Sequence, residues 1–128
     1  MARVLVVDDD VDILNLVTAR LRRAGHQVVS AGSGKEALEL VAEKGPPEVA
    51  VLDVAMPWMN GLELLMQLRS QPGMESLPTV FLSAKVQKED IEAGKALGAL
   101  YLTKPFVAAA LLDAITSLLP KEPMADSW

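Results

Sequence analysis

The sequence predicts an α/β domain built on a doubly wound parallel sheet. Short Val-rich runs, Val4-Leu5-Val6-Val7 and Val49-Ala50-Val51-Leu52, read as strands buried on both faces. Such runs alternate five times with segments of helical periodicity, the signature of βαβ units. The first run ends in Asp8-Asp9 and the second in Asp53. Parallel strands would bring these acids to the carboxyl edge of the sheet, where open α/β folds bind ligands.

The elements follow in order. Strand one is expected at Arg3–Val7. Helix one runs from about Val11 to Ala24, with Asp10 as N-cap, Asp12 favoured by the dipole of the first turn and Gly25 as the stop. Strand two is Gln27–Ala31. Helix two opens on Ser33-Gly34-Lys35-Glu36, which has capping-box spacing, and ends near Lys44-Gly45 before Pro46-Pro47. Strand three is Glu48–Leu52. A loop from Asp53 to Asn60 leads to helix three, Gly61–Arg69, broken by Gln71-Pro72-Gly73. Strand four is Pro78–Leu82, and helix four is Lys88–Leu97, closed by Gly98. Strand five is Leu100–Thr103. Helix five is Val107–Leu119, with Leu111, Leu112, Ile115, Leu118 and Leu119 on one core-facing stripe and Pro120 as the stop. Residues 1–120 make one domain, and 121–128 read as a tail or linker stub.

Composition narrows the functions. Hydrophobic residues are 51 % and charged residues 23 %, an ordinary globular balance. Twelve Lys and Arg against 17 Asp and Glu give a net charge of −5, so no basic stripe is available for direct nucleic-acid binding. There is no cysteine and one histidine, His26, read as a solvated turn residue, which leaves out disulfides and Cys- or His-rich metal sites. No apolar stretch is long enough for a membrane span and the N-terminus lacks a signal peptide, so a cytoplasmic protein is expected.

Carboxylates packed as Asp8, Asp9 and Asp53 would be repel one another and need a cation or shared protons. All the candidate ligands are oxygens, which suits Mg²⁺ or a similar hard cation. Three carboxylates and one divalent cation leave one negative charge, which Lys104 at the end of strand five could neutralise. Pro105 fixes the backbone just after that lysine. Ser83, after strand four, adds a hydroxyl at the same edge. Asp10 and Asp12 are assigned to helix capping, and Trp58 either shields its loop or meets a partner.

These residues carry a resemblance. Val6-Val7-Asp8-Asp9, Leu52-Asp53-Val54-Ala55-Met56-Pro57 with Gly61, Leu82-Ser83-Ala84, and Tyr101-Leu102-Thr103-Lys104-Pro105-Phe106 occur in order, each at a strand end. Together they resemble the receiver domain of bacterial two-component response regulators over about residues 2–119. The resemblance implies a flavodoxin-like sheet of order 2-1-3-4-5. It implies Asp53 as acceptor of a phosphoryl group from a histidine kinase or phosphotransfer protein. Asp9 and Asp53 would be side-chain Mg²⁺ ligands, Asp8 would act mostly through water, and the Ala55 carbonyl would be a further ligand. Lys104 would pair with the phosphoryl oxygens, Ser83 would move to bond them, and Tyr101 would swing inward behind it. The output would be a downstream protein or a further output domain, or a homodimer through helix four, strand five and helix five. Such a domain is not an enzyme beyond its own phosphoryl transfer and dephosphorylation.

Three departures from the family pattern stand out. Gly98-Ala99-Leu100-Tyr101 is one residue shorter than usual before the aromatic. Ala55 and Lys85 occupy variable positions near the site that influence water access. Helix five has no Arg or Lys before Lys121, which disfavours charged dimer contacts and leaves hydrophobic association open. Competing functions fare worse. An aspartate-nucleophile phosphatase would place a second acid at position 55, where Ala55 stands. A nucleotide or flavin binder needs a Gly-rich cradle after strand one, where Asp8-Asp9-Asp10 would repel phosphate. A receiver-like interaction module without phosphorylation is the alternative that sequence leaves standing.

Overall fold

The computed structural model describes residues 2–84 and 88–119. It contains β1 (Arg3–Val7), α1 (Val11–Arg23), β2 (Gln27–Ala31), α2 (Gly34–Lys44), β3 (Val49–Asp53), α3 (Gly61–Arg69), β4 (Thr79–Ser83), α4 (Lys88–Ala96), β5 (Leu100–Thr103) and α5 (Ala108–Leu118). The five strands form one parallel sheet in the order β2-β1-β3-β4-β5. The expected class and strand order therefore hold. Lys85, Pro120 and the 121–128 tail fall outside the described residues.

β1, β3 and β4 are buried at every position, as their apolar runs require. Alternation along a strand sends side chains to opposite faces. Leu5, Val7, Leu52 and Phe81 join Leu64, Leu65 and Leu68 of α3 in one core. Val4, Val6, Val80 and Leu82 join Val17 and Leu21 of α1 and Leu111 and Ile115 of α5 in the other. Leu112, Leu118 and Leu119 pack only partly buried against the second core.

Local chemistry explains the ends of the helices. Asp10 caps α1, its Oδ1 accepting from the amides of Asp12 (3.0 Å) and Ile13 (3.3 Å). Ser33 caps α2 through the Glu36 amide at 3.2 Å, but the Glu36 carboxylate accepts from Gly32 instead of closing the expected box. The complete capping box is on α3, between Asn60 and Glu63. The Arg69 guanidinium, at the end of α3, donates to the carbonyls of Leu97 and Leu77. His26 is not a solvated turn residue: it is half-buried, and its Nδ1 accepts from the Ala2 amide at 3.1 Å.

Candidate functional site

Strand register assembles the site. Val7 pairs with Leu52, so the next residues, Asp8 and Asp53, leave adjacent strands side by side. Asp53 pairs with Leu82 and Ser83 with Thr103, which carries the same edge across to Lys104. Asp53 and Ser83 are the last residues of β3 and β4, one residue further than the apolar runs suggested. Both are buried, as is Asp8.

The loop between β3 and α3 folds back on this edge. The Gly61 amide donates to the Val54 carbonyl at 3.0 Å. A Cβ at position 61 would collide with the Asp53 carbonyl, so only glycine lets α3 start there. Ala55 is exposed in this loop, and its backbone hydrogen-bonds the Asp53 side chain. Trp58 takes a left-handed backbone at φ 65° and is 98 % exposed, so it shields nothing. It borders a groove of about 340 Å³ lined also by Ser33, Gly34, Lys35, Pro57 and Met59.

Asp8, Asp9 and Asp53 each offer a carboxylate oxygen, and these lie within 4.8 Å of one another. Asp8 and Asp53 are buried, while Asp9 is exposed toward solvent. The Asp8 Oδ1 accepts from the Asp10 amide at 2.9 Å, which fixes its orientation. Its Oδ2 accepts from Lys104 Nζ at 2.7 Å, and the same Nζ stands 3.7 Å from Asp53 Oδ1. The Lys104–Pro105 peptide is cis.

The charges explain the titration. Burial and the Asp8 carboxylate push the Asp53 carboxyl up to about 7, against opposing help from Lys104. For Lys104 the largest single influence is burial, which lowers its pKa. The hydrogen bond to Asp8 and the charges of Asp53, Asp8 and Asp10 outweigh it and hold the ammonium above the ordinary lysine value. The hard, all-oxygen donor set with its surplus negative charge fits Mg²⁺, which takes one or two carboxylates and keeps waters for further oxygens.

The structure thus brings together Asp8, Asp9, Asp53 and Lys104. Ser83 stands on the same edge, one strand over from Asp53. Tyr101 lies back from the edge, paired with Phe81 on β4, its ring centroid 6.2 Å from that of Phe81. Sequence reasoning missed the work of Asn60 and Glu63, although Asn-x-x-Glu before an apolar run is a visible signature.

An acidic pocket with a half-buried lysine, at the carboxyl edge of a 2-1-3-4-5 sheet, defines a signalling receiver. The chain belongs to the response regulator receiver domain family, whose model matches residues 4–116. It is 37 % identical to protein PilH of Pseudomonas aeruginosa, over 93 % of this chain and 98 % of PilH. It is 38 % identical to the alkaline phosphatase synthesis transcriptional regulatory protein PhoP of Bacillus subtilis, over 96 % of this chain and 50 % of PhoP. Among solved structures, the chemotaxis response regulator CheY4 of Vibrio cholerae superposes with a TM-score of 0.83 at 38 % identity, over 93 % of this chain and 99 % of CheY4. The chain therefore spans nearly all of PilH and CheY4 but about half of PhoP.

Proposed function

We propose that this receiver takes a phosphoryl group onto Asp53 from a phosphohistidine of a sensor kinase or phosphotransfer protein. An Asp53 carboxylate oxygen attacks phosphorus, the P–N bond to the imidazole breaks, and the imidazole leaves with its electron pair. When bound at Asp8, Asp9, Asp53 and the Ala55 carbonyl, Mg²⁺ supplies charge neutralisation for the transferred group. Lys104 would offset charge on the phosphoryl oxygens. Ser83 then hydrogen-bonds the new group and Tyr101 moves inward, biasing α4 and β5 between two arrangements.

The observation that carries this reading is Lys104 Nζ held between two buried carboxylates, 2.7 Å from Asp8 and 3.7 Å from Asp53. An ammonium placed there already faces the position a phosphoryl group on Asp53 would occupy. The domain catalyses only its own phosphoryl transfer and hydrolysis. Its output is altered affinity for a downstream protein, for an attached output domain or for a second copy through α4, β5 and α5. The setting is the cytoplasm, where kinases hold their phosphohistidines. No described helix is long and apolar enough to cross a membrane.

Incubation with Mg²⁺ and acetyl phosphate, followed by intact-mass measurement, tests the reading. One phosphoryl group should be gained, with no gain when Mg²⁺ is chelated before the donor is added and none in Asp53→Ala. No gain with several small donors would overturn it and favour an interaction module that is not phosphorylated.

A further inference from the structure

Gly94 departs from helix-forming chemistry without a backbone reason. It lies inside α4, where glycine is a poor helix former. Unlike Gly98, at φ 74°, it does not take a left-handed backbone. What the missing side chain supplies is room. A Cβ at position 94 would lie 3.2 Å from Phe81 Cδ2 and 3.3 Å from Tyr101 Cδ2, inside the usual carbon–carbon contact distance.

The two rings do not yield equally. Phe81 is fully buried, in the core that also holds Leu64, Leu65 and Leu68 of α3. Tyr101 is half-buried on β5, the edge strand, and keeps part of its surface open to solvent. The turn after α4 draws the glycine close. The amides of Leu97 and Ala99 both donate to the Gly94 carbonyl at 3.1 Å, and β5 begins at the very next residue, Leu100. This short connection, the family departure visible in sequence, brings Tyr101 under the helix at the one position with no side chain.

We infer that Gly94 is a positioning residue for the switch: it forms the notch that seats Tyr101 against Phe81 and sets how far the resting protein holds the ring inward. A methyl group there would disfavour the seated ring and shift the resting population outward. The regulatory meaning of that shift rests on the proposed role of Tyr101, whereas the seat itself does not.

Tyr101 is the only tyrosine in the chain, so ring-¹³C tyrosine labelling reports on it alone. The full chain, without phosphodonor, is measured by NMR with a soluble gadolinium chelate. Gly94→Ala should raise the relaxation enhancement of the Tyr101 ring about twofold or more. Adding Phe81→Leu, which shortens the opposing wall, should return it toward the wild-type value. In the Gly94 background, Phe81→Leu alone should lower the enhancement, which tests the same seat should Gly94→Ala fail to fold. Unchanged Tyr101 accessibility in folded Gly94→Ala, or shifts confined to α4 amides, would overturn the inference. Mg²⁺ and acetyl phosphate, added afterwards, test the switch separately. A Tyr101 resonance indifferent to phosphorylation would remove its switch role and leave the seat intact.

Discussion

Asp53 carries a cost that the unfolded chain does not. Its ordinary value is 3.8, but in the fold burial and Asp8 raise it to about 7. The folded state therefore binds more protons than the unfolded state between those values. Stability from this group is fullest below the lower value and falls as pH rises through the window to about 7. In urea titrations with a chelator present, wild type should lose roughly 1–3 kcal/mol between pH 5 and pH 8 relative to Asp53→Asn. Parallel pH slopes for the two proteins would contradict this. Added Mg²⁺ at pH 8 should restore wild type preferentially. His26 works in the opposite sense. Burial lowers its pKa, so its contribution is present above its ordinary 6.5 and is lost as pH falls below that. The acids and Lys104 were legible as residues at strand ends. The pairing of Lys104 with Asp8 at 2.7 Å was not, because 96 residues separate them and only the assembled sheet brings them together.

At the scale of elements, α3 shows how a helix start is tied to the site. Gly61 lets the helix begin against the Asp53 backbone, and Asn60 and Glu63 satisfy its first amides. Gly61→Ala should destabilise the protein by about 2–4 kcal/mol in chemical denaturation, because the obstacle is backbone that cannot step aside. A loss below about 0.5 kcal/mol would mean that the loop relaxes freely. All ten elements were legible from apolar runs and breakers, but β3 and β4 each end one residue later than those runs. Their ends are set by pairing, Asp53 with Leu82 and Ser83 with Thr103, and a polar residue at a strand end carries no local mark of its partner. The Glu36 carboxylate shows the same limit. Capping spacing was present, yet the Gly32 amide offered the better-placed donor.

At the scale of the molecule, one sheet separates two cores that share no helix. Leu68→Ala on one side and Ile115→Ala on the other each remove a side chain of 0 % exposure. Each should cost about 2–5 kcal/mol and still give one unfolding transition, because both cores are nailed to the same strands. Two separate transitions in either variant would show that the halves unfold independently. The Arg69 guanidinium adds a mechanical consequence. By holding the Leu97 carbonyl, just beyond the last turn of α4, and the Leu77 carbonyl before β4, it makes a fulcrum at one end of that helix. Nine residues of α4 form a lever about 13 Å long. A tilt of about 10° about Leu97 therefore carries the Lys88 end ~2 Å while the end near Gly94 hardly travels. A small displacement beside Tyr101 is thus geared up at the far tip of the helix.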